Sequence, residues 1–420
     1  MIGWDSVGLG AIVVLGVFGF LRSGSVLFML GLWATLGAVW AFVAFSRGRR
    51  LVTLLSINLT LMSSLLVGLE LVARSLREAP FRESWSAPLA EPDTELGTIP
   101  RADARVRHRR FPRALGYQME WDVNYGTEAD RSRRVPDRPR TGPILAVFGD
   151  SLLFGEGLED HDTIPNQLQR ALPQWRVFNY AVRGHGTAQN YFYLLRVLRD
   201  KPDTCLCLLG FIPDHVRRTV VPYSLMASVW AGRHPRVRLA GNRIINLGPA
   251  YDTIGPIERL HVDLLAGSLI YSKLSARWRP SPQDWDLVRD LVLAMRDTCE
   301  TDASGGRFVL LVLPTAESSS SHGEEFLRWR AELHARGVLI VDLWDRFRTV
   351  ATPQAHTSFF FTDGHPNRAY AALVAAWIAE IVRVNTKSRA LDTQARPLAE
   401  SSAGAQIGDT FVFSARKGAS

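Results

Sequence analysis

Five short, mostly apolar segments, each followed by a polar turn and a helix-like stretch, constrain this chain more than any other feature. They lie at 144–148, 176–179, 204–211, 307–313 and 338–342. A run such as Phe308-Val309-Leu310-Leu311-Val312-Leu313 shows no polar alternation, which fits a strand buried on both faces. The segments at 163–172, 187–200, 283–299, 323–336 and 367–384 read as helices. Strands alternating with helices call for a parallel sheet covered on both sides. Ligand sites in such sheets form at the carboxyl ends of the strands.

The first strand runs directly into Gly149-Asp150-Ser151-Leu152 and then a glycine-rich loop, Phe154-Gly155-Glu156-Gly157. A serine on a stiff strand end with small neighbours is how a fold presents a nucleophile. About two hundred residues later comes Phe361-Thr362-Asp363-Gly364-His365-Pro366-Asn367. Residues i and i+2 of an extended loop point the same way, so Asp363 and His365 can lie side by side. A carboxylate on one imidazole nitrogen with the other nitrogen free is the orienter and base of a serine triad. Pro366 suits the first turn of the following helix.

With both motifs, the chain resembles the SGNH (GDSL) hydrolase superfamily, in a membrane-anchored bacterial branch. These are serine esterases and acyltransferases on a flavodoxin-like parallel sheet flanked by helices. The resemblance covers roughly 141–385. It implies Ser151 as nucleophile, Asp363 and His365 as its partners, and an oxyanion hole from the backbone N–H groups of Ser151 and Gly184. Gly184 is the match in the block Asn179-Tyr180-Ala181-Val182-Arg183-Gly184-His185-Gly186. The third block departs. The family places an Asn before an Asp there, and this chain reads Gly210-Phe211-Ile212-Pro213-Asp214-His215; proline has no donor to offer. His215 and Asn190 are candidates to replace the missing amide, Asp150 to brace the serine turn. Asp214 and His215, adjacent on an extended segment, face opposite ways and rank below Asp363 and His365. His185 reads as a loop histidine.

The first seventy-odd residues are almost entirely apolar, with stretches at 7–21, 25–45 and 51–73. The second and third reach the roughly 20 residues a bilayer crossing needs; the first is shorter and leaves its span open. The start, Met1-Ile2-Gly3-Trp4-Asp5, lacks the basic residues of a cleaved signal, so about three retained transmembrane helices are expected. Arg47, Arg49 and Arg50 place the 46–50 loop in the cytoplasm, and everything past residue 76 on the periplasmic or extracellular side of the inner or cell membrane. Glu70, near the end of the third stretch, can reach the interface.

The formal charge of +8 is carried mostly by arginine, with lysine only at 201, 273, 387 and 417. The densest cluster, Arg101, Arg105, Arg107, Arg109, Arg110 and Arg113 with His108 among them, reads as a solvated linker face rather than a lipid or glycan contact. No nucleic-acid motif accompanies it, and no nucleic-acid partner is expected. Three cysteines are too few for a disulfide scaffold. Cys205 and Cys207, two apart on one strand, should face the same side. No metal-ligand spacing is present, and neither a metal nor another cofactor is expected.

The expected organisation is transmembrane helices over 1–76, a lead-in or linker over 77–140 that packs on the catalytic domain as irregular structure with short strands, the catalytic domain over 141–385 and a disordered tail over 386–420. The insertion at 215–282, with a helix around 257–275, should wall the substrate pocket. Function reads first as a membrane-anchored esterase or deacylase acting on an acylated carbohydrate or other small ester. A polysaccharide O-acyltransferase with the same triad and a membrane acyl-donor partner is the second reading. A degenerate glycan-binding or scaffold protein is the third.

Overall fold

The computed structural model describes residues 26–75, 79–226, 233–241, 243–265, 268, 278–302, 306–316, 323–351 and 356–395. Two helices, Val26–Ser46 and Arg50–Ser75, open it. They pack closely, since a Cβ added to Gly37 would lie 2.6 Å from Thr60 Oγ1. Thr53, Ser56 and Ser63 are buried, while Phe42, Phe45, Leu54, Leu55, Leu61 and Leu65 point outward. Polar groups inside and apolar groups outside reverse the order of a helix in water. Among the described residues one segment, Arg50–Val72, is long and apolar enough to cross a bilayer. The expected span at 7–21 lies outside the described residues, so three crossings are not seen. Glu70 is buried and accepts a 3.3 Å hydrogen bond from Ser268 Oγ.

The lead-in, expected as irregular structure with short strands, carries five strands: β1 (Phe81–Trp85), β2 (Ala90–Asp93), β3 (Gly97–Pro100), β4 (Arg105–Pro112) and β5 (Trp121–Gly126). β1, β4 and β5 form an antiparallel sheet, and β2 and β3 a hairpin. Val106, His108, Arg110 and Pro112 are the buried positions of β4. Much of the arginine cluster is therefore engaged: Arg107 and Arg109 pair with Asp122, Arg101 with Glu91, and Arg110 is buried. His108 stacks on Trp85 at 3.6 Å and shares a 3.0 Å hydrogen bond with the Tyr125 hydroxyl.

The central sheet comprises β6 (Ile144–Phe148), β7 (Arg176–Asn179), β8 (Thr204–Phe211), β11 (Arg307–Val312) and β12 (Leu339–Asp342); between them β9 (Pro235–Ala240) and β10 (Arg243–Pro249) make a separate hairpin. All five central strands run parallel in the order β7-β6-β8-β11-β12. Counted within the sheet this is 2-1-3-4-5, the flavodoxin-like order, with its switch point between β6 and β8. Helices 187–200, 282–302 and 324–335 share one core with Phe211, Trp285, Phe326 and Trp329. Helices 164–171, 344–350 and the last one cover the other face, joined there by Trp121, Val123 and Tyr125 of β5. The backbone N–H of Arg133 donates to Asn179 O at 2.8 Å, so the segment after β5 covers the open edge of β7.

Two expectations change. Cys205 and Cys207 pack on opposite faces, because the register of β8 against β6 slips between Ile144 and Leu145 and leaves Cys205 bulged. A bulge adds one residue and resets which way the next side chain points. The final helix runs Arg368–Ala395, so the first part of the expected disordered tail is helical; 396–420 lie outside the described residues.

Candidate active site

Ser151 opens a four-residue helix, Ser151–Phe154, directly after β6. Asp150 caps that helix, its Oδ1 accepting from Leu152 N at 3.0 Å. The His365 loop arrives from the other end of the domain, pinned where Phe361 N donates to His365 O at 2.8 Å. With the ring proton on Nδ1, His365 donates to Asp363 Oδ2 at 2.7 Å, and Nε2 accepts from Ser151 Oγ at 2.9 Å. The His365 backbone N–H donates to Asp363 Oδ1 at 3.0 Å, which fixes the carboxylate plane. The three side chains thus form one continuous hydrogen-bonded chain.

The lead-in sheet completes the site. Arg110 is ion-paired with Asp363 Oδ2 and lies over the Phe81 and Trp121 rings, at 4.7 Å and 4.8 Å. Burial alone would raise the Asp363 pKa, but His365 and Arg110 outweigh it and hold the group below its ordinary value. For His365 burial opposes the charge, yet the Glu156 and Asp363 carboxylates prevail and its pKa is raised.

Glu156 was not singled out from sequence. It is buried, its Oε1 pairs with the Arg183 guanidinium, and its Oε2 lies 3.4 Å from His365 Nε2. Desolvation works against its charge, but Arg183 and His365 keep it ionised, with a lowered pKa. Gly155 and Gly157 flank it at φ 81° and 80°, the left-handed region that glycine enters without strain. A Cβ at Gly157 would also meet Phe361 at 2.8 Å. The fully buried Arg133 clamps the loop, donating to Gly155 O and Leu158 O at 2.6 Å each. Arg110, Arg133 and Glu156 are the site residues sequence reasoning missed.

Gly184 has φ 80°, and neither its N–H nor that of Ser151 has an acceptor among the described residues. Of the two candidates for the missing amide, Asn190 is engaged elsewhere and His215 lies buried beside Asp150. Asn190 accepts from Gly149 N at 3.0 Å and donates to Gly186 O at 2.9 Å, bracing the two loops together. His215 Nε2 lies 3.3 Å from Asp150 Oδ2 without hydrogen-bond alignment, and neither ring nitrogen has a hydrogen-bond partner among the described residues. Asp150 Oδ2 also pairs with Arg218 at 2.9 Å. Burial disfavours the Asp150 charge, but His215, Arg218 and the cap together hold its pKa well below the ordinary range. Asp214 points to Arg218 Nε at 2.7 Å, and Pro213 sits at the start of the helix Asp214–Val220. His185 is buried and donates to Thr98 O at 2.9 Å; burial lowers its pKa to about 3.

A cleft of about 610 Å³ lies beside Arg183, lined also by Trp85, Pro88, Leu89, Phe154 and Val182. Its far wall comes from the lead-in; among the described residues none of the 215–282 insertion lines it. Among the described residues there is no group of histidine, cysteine and carboxylate side chains fit to hold a metal ion.

No protein-family profile matches the chain, and no curated protein does. Solved structures do. One is a member of the lipolytic protein G-D-S-L family from Veillonella parvula DSM 2008, 10% identical, covering 57% of this chain and 98% of that one, with a TM-score of 0.35. Another is an acetylxylan esterase from Geobacillus stearothermophilus, solved as a catalytic mutant, 14% identical, covering 57% and 94%, with a TM-score of 0.31. A third is an alpha/beta hydrolase enzyme from the metagenome of Lake Arreo, Spain, 16% identical, covering 57% and 95%, with a TM-score of 0.33. By its own sheet order the chain has a flavodoxin-like α/β architecture, with Ser151 directly after the central-sheet strand β6 and joined there by the Asp363–His365 loop.

Proposed function

We propose that this chain is a membrane-anchored serine esterase that cleaves acyl esters outside the cytoplasm, with acylated carbohydrate as the substrate class the resemblance favours. The observation that carries the chemistry is the unbroken Ser151–His365–Asp363 chain, at 2.9 Å and 2.7 Å. Ser151 Oγ attacks the ester carbonyl carbon as its proton passes to His365 Nε2. Asp363, held by Arg110, steadies the imidazolium. The tetrahedral oxyanion is received by the Ser151 and Gly184 N–H groups. Collapse breaks the ester C–O bond, and the leaving alcohol takes the proton from Nε2. Water then repeats the sequence on the acyl-enzyme. One oxyanion donor typically contributes on the order of 10²–10³ in rate, and Pro213 supplies none.

The anchor reading rests on the helix pair with its outward apolar face and on the arginines at 47, 49 and 50. By the excess of basic residues in cytoplasmic loops, the arginines favour a 46–50 turn inside and a catalytic domain outside. Hydrolysis of p-nitrophenyl acetate by the membrane-embedded protein, lost in Ser151→Ala, tests the chemistry. A cysteine at Ser46 that reacts with an impermeant maleimide in intact cells would overturn the orientation. Turnover that requires a sugar acceptor, with a poor water reaction, would shift the reading to acyl transfer fed by a membrane donor partner.

A further inference from the structure

Two acceptors face one spot once the acyl-enzyme has formed. Acylated Ser151 Oγ no longer has a hydrogen to donate, so the Nε2 lone pair of His365 is open. Glu156 Oε2 lies 3.4 Å from that nitrogen, and Arg183 holds the other carboxylate oxygen. Nothing between Nε2 and Oε2 supplies a hydrogen, so the pair best binds a molecule that offers two at once. Water does so, and so does a vicinal diol; a monohydric alcohol has only one.

Building on the serine-esterase reading, we infer that Glu156 is a positioning residue for the acceptor, holding the incoming water or the vicinal diol of a sugar against His365 during deacylation. One acceptor hydrogen bonds to Oε2 and the other to Nε2. Its oxygen forms a bond to the acyl carbonyl carbon while the second hydrogen passes to Nε2 as a proton. Collapse breaks the bond between that carbon and Ser151 Oγ, and Oγ takes the proton back from Nε2. Glu156 gains and loses nothing. Its ionised state under burial accords with this role. The rigid seat made by Gly155, Gly157 and Arg133 keeps the carboxylate from swinging away, as orientation in a deacylating site requires.

The test uses the full chain in detergent with p-nitrophenyl acetate, comparing wild type with Glu156→Gln. The variant is expected to react with a fluorophosphonate probe at a rate within threefold of wild type. It should show a stoichiometric burst of p-nitrophenol followed by steady turnover slowed at least tenfold. With added ethylene glycol or methanol, the wild-type preference for the diol as acyl acceptor should fall at least fivefold in the variant. A merely structural role would leave that ratio unmoved. An unchanged burst pattern and ratio, or equal slowing of probe labelling and turnover, would overturn the inference. Should Glu156→Gln fail to label, Glu156→Asp decides: it keeps a charge for Arg183 but withdraws the carboxylate by one methylene. Slow deacylation with normal labelling then supports the role, and normal deacylation refutes it. A wild type that neither labels nor turns over would sink the esterase reading itself.

Discussion

Asp363 and His365 are 2.7 Å apart, whereas Asp150 and His215 are 3.3 Å apart and wholly buried. Both pairs lie against Ser151, one in space and the other through the residue that precedes it. What separates them is the rest of each environment. The Asp363 carboxylate has its plane set by a backbone N–H and holds His365 so that the far nitrogen meets Oγ. The Asp150 carboxylate is claimed by Arg218 and the Leu152 N–H, and the far nitrogen of His215 meets no partner among the described residues. A histidine beside an aspartate becomes a base only when its second ring nitrogen faces something to deprotonate.

The largest effects should break the first pair. Asp363→Asn is expected to lower kcat by about 10⁴-fold, since the ring would lose its orienter. Steady-state hydrolysis measures it, and a loss under tenfold would contradict the assignment. Arg110→Met, which removes the cation behind Asp363, should cost roughly 10- to 100-fold. The second pair should respond in stability instead. Asp150→Ala leaves Arg218 without its buried partner and uncaps the serine helix, so a destabilisation of about 3–5 kcal/mol is expected in denaturant melts. His215→Ala should be the mildest, changing kcat less than tenfold and destabilising by about 1–3 kcal/mol.

Acidity sharpens the same contrast. His365 must be neutral to act as base, and its pKa is raised above the ordinary 6.5. The acid limb of kcat/KM should therefore have its midpoint above that value, and Asp363→Asn should move it down. The stability gained from protonated His365 is complete below 6.5 and is lost as pH rises through the raised value. Asp150 has the opposite sign. Its lowered pKa stabilises the fold above the ordinary 3.8, and that gain is lost as pH falls through the lowered value.

The central sheet was legible because strands buried on both faces announce themselves as unbroken apolar runs, and β6, β7 and β8 begin and end where those runs do. The lead-in was legible only as short strands, without their bounds or pairing. In β4 the inward positions are taken by His108 and Arg110 as well as Val106, so no apolar alternation marks the strand. Arg110 belonged to a charge cluster that, without its tertiary partners, looks solvated. Glu156 sits in a Gly-Glu-Gly turn that is written the same way when it faces water. The Asp363–His365 pair was readable because its spacing alone brings the two side chains together. What Asp150 and Asn190 hold depends on contacts tens of residues away in the chain, with Arg218 and with Gly149.

The most direct measurement is labelling of the full-length, membrane-embedded chain with a fluorophosphonate serine probe, in wild type and in Ser151→Ala, His365→Ala and His215→Ala. Labelling that survives only in wild type and His215→Ala is the predicted result. A folded wild type that does not label, or labelling that survives His365→Ala and is lost in His215→Ala, would contradict the assignment of His365 as the base that activates Ser151.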